Sequence, residues 1–188
     1  MIDILAKYNV KTTFFVVGDW VDKYPESVKA LHDAGHEVMS HSDHHDHYNS
    51  LSTSQIVADI QTSCDKIEAV TGSCPTLIRC PYGEYDDHVI SAVRSLGMEP
   101  IQWDVDSLDW KDYDADTIYQ RVTSRVQPGS IVLFHNAALH TPEALPRILE
   151  YLINDGYTVL PISQLILTGD YTIDHTGRQF AAETVSAE

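Results

Sequence analysis

Positive charge is scarce in this sequence. Its 188 residues contain 12 Lys and Arg against 28 Asp and Glu, which gives a formal net charge of −16. A surface this negative repels phosphate backbones and anionic lipid headgroups. The composition therefore excludes nucleic acid as an expected partner and argues against binding to an anionic membrane.

Long hydrophobic runs are also lacking. No apolar run approaches the roughly 18 residues that a membrane span needs, and the start, MIDILAKYNV, has neither the basic residues nor the apolar stretch of a secretion signal. We therefore expect no membrane span and no signal peptide in this sequence, which leaves the localisation open.

Cysteine is rare, with only Cys64, Cys74 and Cys80. An odd number cannot complete a disulfide framework, and the spacings do not form a CxxC pair. The three residues are expected to be small packing residues or unpaired thiols.

Apolar residues make up 43% of the chain, enough for the core of one domain. Short apolar runs alternate with amphipathic stretches, which predicts successive strand-helix units. The predicted strands are 11–17, 36–41, 76–79, 100–106, 130–135 and 157–162. The predicted helices are 22–34, 54–71, 87–96, 116–126, 142–155 and 163–167. From about Gly169 the sequence is polar and predicts a poorly packed tail.

This alternation is typical of an α/β protein whose parallel sheet is buried on both faces. An open doubly wound sheet and a closed barrel both fit the pattern. No GxGxxG or GxxxxGK[ST] motif is present, so a nucleotide-binding version has no support.

Polar residues follow four of the predicted strands. They are His41, Arg79, Asp106 and His135. The carboxyl ends of parallel strands share one face of an α/β fold, where active sites lie. We therefore expect these side chains to meet in one site.

A histidine-rich segment, HSDHHDH, begins at His41. His41 and His45 are four residues apart, which places two imidazoles within reach of one cation in a compact turn. Neutral imidazole suits Zn²⁺, Co²⁺ or Ni²⁺. His44 and His47 are expected to be outer residues or exposed. The alternative is a solvated loop that is merely rich in histidine.

Three other segments carry chemical groups, each with an ordinary structural alternative. Arg79 precedes a Pro-Tyr-Gly turn that can turn an amide towards a ligand, or it forms a surface ion pair. The segment 103–110 combines acidic residues with two Trp, which suits a sugar-binding cleft or a core with loop carboxylates. His135 is a candidate general acid or a buried core histidine.

Five motifs occur in a characteristic order. They are TTFFVVG from Thr12, HSxxH from His41, RxPYG from Arg79, DSxDW from Asp106, and LxH from Leu133. This pattern resembles the polysaccharide deacetylase family, the NodB-like carbohydrate esterases of family 4, over about residues 1–167. The resemblance implies a distorted, incomplete (β/α) barrel with residues 168–188 as a polar tail. It also implies metal-dependent deacetylation of N-acetylglucosamine polymers, such as peptidoglycan and chitin-type oligomers, or of acetylated xylan.

The resemblance implies a role for each matching residue. His41 and His45 would bind a divalent metal, with Zn²⁺ favoured over Co²⁺ and Ni²⁺. Arg79 would position the catalytic base, and the Tyr82 amide would help to form the oxyanion hole. Further on, Asp109 would tune His135 as the general acid, and Trp110 and Leu133 would line the acetyl pocket. Members of the family act mostly at the cell envelope or outside the cell.

The sequence departs from the family pattern in two places. The family carries a TFDD segment on its first strand, which supplies the base and a third metal ligand, and these 188 residues contain none. Cys80 also stands where Pro is commoner. The resemblance therefore implies an N-terminally truncated domain without its first strand. The exposed edge of strand 11–17 would then favour a homo-oligomer. Asp104 and Asp106 are possible bases without special support from their spacing.

Two other functions remain open at this point. The first is a catalytically impaired module of the same fold that binds carbohydrate or metal. The second is an unrelated metal-binding α/β protein.

Overall fold

The computed structural model describes residues 1–182, in which helices and short strands alternate. The helices are α1 (Ile2–Lys7), α2 (Gly18–Lys23), α3 (Pro25–Asp33), α4 (Thr53–Thr71), α5 (Asp87–Ser95), α6 (Ala115–Thr123), α7 (Thr141–Asn154) and α8 (Ile162–Leu165). The strands are β1 (Thr13–Val16), β2 (Glu37–Ser40), β3 (Leu77–Ile78), β4 (Glu99–Pro100), β5 (Val105–Asp106), β6 (Val132–Leu133), β7 (Tyr171–Ile173) and β8 (Gln179–Ala181).

The strands form a parallel sheet that does not close. Strands β1 to β4 are neighbours in chain order, and all their pairings are parallel. Strands β5 and β6 form a separate parallel pair. This arrangement is the predicted α/β class with an incomplete barrel. Within residues 1–182, no helix has the length and hydropathy to cross a bilayer.

Helix α4 covers the first part of the sheet. It begins with the predicted capping box, in which Ser52 Oγ accepts from the Gln55 amide and the Gln55 side chain accepts from the Ser52 amide. It ends at Gly72, whose φ of 72° suits glycine. One face of the helix is fully buried through Ile56, Ile60 and Ile67. This packing fixes the end of β2, where the histidine-rich segment begins.

The helix predicted over 22–34 is confirmed over Pro25–Asp33, but its first part is wrong. The structure has two helices there, α2 and α3, separated at Tyr24. Pro25 disfavours a helical conformation in the residue before it, and Tyr24 lies at φ −136° and ψ 53°. A proline is well tolerated in the first turn of the helix that follows.

The sixth strand predicted over 157–162 is also wrong. Residues 157–161 have no strand pairing, and α8 begins at Ile162. Pro161 has no amide proton to give to a ladder. The Ile162 amide instead donates to Thr13 Oγ1, at 2.8 Å.

Two other regions differ from expectation. The strand predicted over 100–106 is divided between β4 and β5, which belong to different sheets. In the region expected to be a poorly packed tail, β7 and β8 form an antiparallel hairpin. The Arg178 guanidinium attaches this hairpin to the Pro128 carbonyl at 2.6 Å. The division into domains at residue 167 stays a prediction.

Candidate active site

Two histidines converge at the end of β2. The His41 and His45 Nε2 atoms lie 3.2 Å apart. The other ring nitrogen of His41, Nδ1, is 2.6 Å from the Arg79 carbonyl oxygen. If Nδ1 carries the proton, Nε2 presents its lone pair to the space beside His45. Burial lowers the pKa of His41 to about 4 and also lowers the pKa of His45, so both rings are neutral at pH 7.

The loop that carries these rings has an unusual backbone. Ser42 and His45 both have positive φ, at 73° and 60°. The Ser42 hydroxyl stabilises the turn by accepting from the His45 amide at 2.8 Å. Non-glycine residues in this conformation store strain that the surrounding structure must offset.

Asp43 anchors this loop to two helices. Its carboxylate is buried, and Lys66 Nζ on α4 lies 2.7 Å from Oδ1. Its amide donates to the Asp59 carboxylate, which also accepts from the Tyr48 hydroxyl at 2.6 Å. Against α2, a Cβ on Gly18 would lie 1.8 Å from Asp43 Oδ1. The Asp43 carboxylate can therefore occupy its position only because residue 18 is glycine and has no Cβ.

Gly18→Ala should lower the free energy of unfolding by about 1–3 kcal/mol, the usual cost of overpacking. The added methyl group would displace the Asp43 carboxylate from Lys66. Urea unfolding of Gly18→Ala, Asp43→Ala and the double variant measures the coupling. Gly18→Ala should lower the free energy of unfolding by less in the Asp43→Ala background than in the unsubstituted chain. Some loss should remain, because the Cα of residue 43 lies 3.1 Å from the added Cβ. An equal cost in both backgrounds would contradict this account of the loop.

His135 is held by a buried carboxylate. Its Nδ1 lies 2.9 Å from Asp109 Oδ1, and its amide also donates to Asp109. The Thr141 hydroxyl donates to the second oxygen at 2.6 Å. Burial alone would raise the pKa of Asp109, but the hydrogen bonds from His135 and Thr141 outweigh burial and lower it. The ionised carboxylate orients the imidazole and leaves Nε2 free.

Arg79 is a buried cation without a carboxylate partner among residues 1–182. Its guanidinium donates to the carbonyls of Ile101 and Gln102, each at 3.4 Å. It also lies over the ring of Phe15, at 4.4 Å. Burial lowers the pKa of Arg79 to about 10, so it stays charged at neutral pH. The expected role, positioning a base, remains a prediction.

Two exposed aromatic rings flank the histidines. Tyr82 is 57% exposed and Trp110 is 58% exposed, which is high for large apolar side chains. The Tyr82 ring stacks on His47, with centroids 3.9 Å apart and planes 12° apart. His47 in turn contacts the Glu84 carboxylate at 2.7 Å. Such faces suit a sugar ring.

One cavity of about 1430 Å³ brings the predicted site residues together. Its lining includes His41, His45, Arg79, Tyr82, Trp110, Leu133 and His135. Asp109 lies behind His135 instead of on the cavity wall. Leu133 is buried in β6, and Tyr82 has positive φ in the turn Pro81–Gly83. The structure places these residues, and their chemical roles remain proposals.

The outer histidines lie as expected. The His44 side chain is 57% exposed and contacts Asp19 and Asp43, and the hydrogen bond to Asp19 raises the pKa of His44. The His47 side chain is 58% exposed.

The two carboxylates considered as bases are engaged. Asp104 accepts from the Ser130 hydroxyl and the Ile131 amide, both at 2.7 Å. Asp106 accepts from the Leu108 amide at 2.9 Å, but it still lines the cavity. The Asp104 carboxylate is therefore occupied by hydrogen bonds from the residues that lead into β6. Of the two carboxylates, Asp106 is the one that lines the cavity.

The histidine pair fits two positions of a metal site. Two nitrogens at about 2.0–2.1 Å from one tetrahedral ion lie roughly 3.3 Å apart, close to the observed separation. The carbonyl contact at His41 Nδ1 is the usual outer support for a metal-binding histidine. No group of three or more His, Cys, Asp or Glu side chains suited to a metal occurs within residues 1–182. The described residues therefore bring together two candidate ligands and no third one.

Several supporting residues have no signal in the sequence. Thr141 lies 32 positions from the carboxylate it contacts, and Glu84 lies 37 from His47. Only the tertiary fold joins such pairs. Gly18 carries a clearer signal, because a glycine directly after a strand often marks a close approach of the backbone.

Sequence comparison identifies relatives that are named as peptidoglycan deacetylases. A profile described as polysaccharide deacetylase matches residues 1–101. The peptidoglycan-N-acetylmuramic acid deacetylase PdaC of Bacillus subtilis (strain 168) is 36% identical over 165 residues, 88% of this chain and 35% of that protein. The peptidoglycan-N-acetylglucosamine deacetylase PgdA of Listeria monocytogenes (strain 10403S) is 34% identical over 165 residues, with the same coverages of 88% and 35%. The chain thus spans about a third of the length of these two relatives.

Solved structures show the same fold. BA3943 of Bacillus anthracis, described as a CE4 family pseudoenzyme, superposes with a TM-score of 0.85 at 36% identity. The match covers 87% of this chain and 58% of that one. This likeness confirms the incomplete barrel. Since the profile match alone covers more than half of the sequence, the chain belongs to the polysaccharide deacetylase family.

Proposed function

We propose that this chain is a metal-dependent hydrolase that removes acetyl groups from a polysaccharide. Peptidoglycan is the favoured substrate, because the relatives PdaC and PgdA are named as peptidoglycan deacetylases. N-acetylated chitin-type oligomers and O-acetylated xylan are the other candidates. The observation that carries the proposal is the oriented His135, which lines one cavity together with the His41 and His45 pair.

Each residue has a distinct task in this proposal. His41 and His45 would hold a divalent ion, with Zn²⁺ favoured over Co²⁺ and Ni²⁺. When bound, the ion would polarise the acetyl carbonyl and lower the pKa of a water molecule. His135 would donate a proton from Nε2 to the leaving amine. Asp109 would keep that nitrogen towards the cavity by accepting from Nδ1.

The remaining site residues would bind and orient the substrate. The Tyr82 amide has no protein acceptor among the described hydrogen bonds and would donate to the developing oxyanion. The rings of Tyr82 and Trp110 would contact sugar faces, and Leu133 would contact the acetyl methyl group. The Arg79 charge would hold a carboxylate in the site.

Acetate release tests this function. The protein is freed of metal with EDTA and incubated with peptidoglycan or N-acetylglucosamine oligomers, with and without Zn²⁺ or Co²⁺. Acetate that appears only with added metal, and that is lost in His135→Ala, supports the proposal. Metal-independent release, or release unaffected by His135→Ala, would overturn it.

His41→Ala should weaken Zn²⁺ binding at least tenfold, because it removes one of the two converging nitrogens. Calorimetry at pH 7 with Zn²⁺ should show one main site in the unsubstituted chain. His44→Ala is a matched control, since His44 lies in the same loop but points to Asp19. Equal losses in the two variants would mean that the ion is held elsewhere in the histidine-rich segment.

A second function has one specific observation in its favour. The described residues bring no third His, Cys, Asp or Glu ligand to the histidine pair, and BA3943 is described as a pseudoenzyme. A catalytically impaired module that binds carbohydrate would keep Tyr82 and Trp110. Co-sedimentation with insoluble peptidoglycan, lost in Trp110→Ala without any acetate release in the parent chain, would favour this function.

A further inference from the structure

Tyr82 has a backbone conformation that few non-glycine residues adopt. It is the middle residue of the turn Pro81–Gly83, with φ 58° and ψ 6°. A side chain in this left-handed region crowds the backbone, so the surrounding structure must hold the residue there. The amide of the same residue is the proposed oxyanion donor. The contacts that hold Tyr82 in this conformation therefore also set the direction of that N–H.

The hydrogen bonds of the turn hold its ends and not the side chain of Tyr82. The amides of Gly83 and Glu84 donate to carbonyls three residues earlier, each at 3.1 Å. On the inner side, Gln102 Nε2 donates to the Gly83 carbonyl at 3.0 Å. Gly83 also packs closely on Trp103, because a Cβ at this position would lie 2.7 Å from that ring. These contacts leave the Tyr82 ring to be held by other groups.

Two histidines contact the Tyr82 ring. The side chain is 57% exposed, so burial in a core does not fix it. The His47 ring stacks on it with centroids 3.9 Å apart and planes 12° apart. The His45 ring meets it at a steeper angle, with centroids 4.6 Å apart and planes at 66°. Of the two contacts, the one from His47 is the closer and the more nearly parallel.

His47 is itself fixed by the residue that follows the turn. Its Nδ1 donates to Glu84 Oε1 at 2.7 Å. The second oxygen of this carboxylate accepts from the Asn49 amide at 3.4 Å. The histidine-rich segment and the turn are thus joined both by the ring stack and by the Glu84 carboxylate. This double attachment restrains the His47 ring against Tyr82.

We propose that His47 is a positioning residue for the Tyr82 amide. Its ring, fixed by Glu84, holds Tyr82 in the left-handed conformation and so keeps the amide directed at the acetyl oxygen that gains charge. The inference rests on the proposed function and adds a residue that is neither a metal ligand nor a proton donor in it.

The conformational part of the proposal is tested without substrate. The protein is labelled with ¹³C and ¹⁵N tyrosine, and the NMR signals of Tyr82 are identified by their absence in Tyr82→Phe. Scalar couplings within the residue report φ, and in the unsubstituted chain they should correspond to a positive φ. In His47→Ala they should move towards the values for negative φ. His47→Phe keeps a flat ring and should retain the positive φ, as should the matched control His44→Ala.

The rate of acetate release tests the catalytic consequence. With an N-acetylglucosamine tetramer and added Zn²⁺, kcat should fall about tenfold or more in His47→Ala, part of the roughly 10²–10³-fold loss typical of removing one oxyanion donor. His47→Phe should restore most of the rate. In the Tyr82→Gly background, His47→Ala should change kcat little. Glycine keeps the amide and adopts the left-handed conformation without support from a neighbouring ring.

Zn²⁺ affinity separates this role from a role in metal binding. Loss of a residue that supports a metal ligand typically weakens metal binding about 10–100-fold. Calorimetry should show a smaller change than this in His47→Ala, because the His47 Nδ1 is bonded to Glu84 and its ring lies on Tyr82.

Three outcomes would overturn the proposal. They are couplings of Tyr82 that do not change in His47→Ala, an equal fall in kcat in the Tyr82 and Tyr82→Gly backgrounds, and a loss of Zn²⁺ affinity in His47→Ala large enough to explain the loss of rate. A chain that releases no acetate would instead defeat the proposed function. The couplings alone would then decide whether His47 holds Tyr82.

Discussion

Acetate release by this 188-residue chain should be about 10²–10⁴-fold slower than release by PdaC of Bacillus subtilis assayed on the same peptidoglycan. The reason is the lack of a suitable general base among the described residues. Asp104 is bonded to Ser130 and Ile131, and Asp109 lies behind His135. Loss of a positioned general base typically slows a reaction by this factor.

One control makes this result specific. Asp106→Asn should leave the residual rate within about twofold, because the Asp106 carboxylate is occupied by the Leu108 amide. A rate equal to that of PdaC, abolished by Asp106→Asn, would show that Asp106 acts as the base.

Strand ends were the most informative part of the sequence for locating the site. His41, Arg79 and His135 all follow predicted strands, and the structure places all three on one cavity. The prediction succeeds because parallel strands direct their carboxyl ends to one face. The prediction needs only the order of the strands and helices and not their exact limits. It therefore holds although several strands are only two residues long.

The errors in the fold arise where local pattern and tertiary context disagree. Residues 157–162 are apolar enough for a strand, yet Pro161 and the contact from Ile162 to Thr13 lead the chain into α8 instead. The segment 100–106 is also apolar, but its two ends join different sheets. Apolar content predicts burial well, whereas strand pairing depends on neighbours that lie far away in the sequence.

The supporting contacts of the site cannot be predicted from the sequence for a similar reason, because they join residues that are distant along the chain. The family resemblance implies that Asp109 acts on His135, but it does not imply the contact from Thr141, because a hydroxyl 32 positions away leaves no local pattern. The stack of His47 on Tyr82 likewise depends on the turn Pro81–Gly83, where Tyr82 has a φ of 58°.

Asp109→Ala should lower the free energy of unfolding by roughly 3–5 kcal/mol at pH 7, the usual loss when one partner of a buried charged network is removed. The substitution leaves the Thr141 hydroxyl and the His135 amide without their acceptor in a buried site. Urea unfolding measures the loss. Thr141→Val is the matched control and should cost less, because the carboxylate keeps both contacts from His135.

The destabilisation caused by Asp109→Ala should depend on pH in a defined direction. The folded state lowers the pKa of Asp109 relative to its value of about 3.9 in an unfolded chain. A lowered carboxylate pKa stabilises the fold above the unfolded value, and that contribution is lost as the pH falls through the folded value. The difference in unfolding free energy between the unsubstituted chain and Asp109→Ala should therefore shrink below about pH 4. Asp109→Asn keeps an acceptor but no charge, so it should destabilise less than alanine at pH 7. A difference that does not shrink below about pH 4 would mean that the folded state does not lower the pKa of Asp109, and the orientation of His135 would then need another cause.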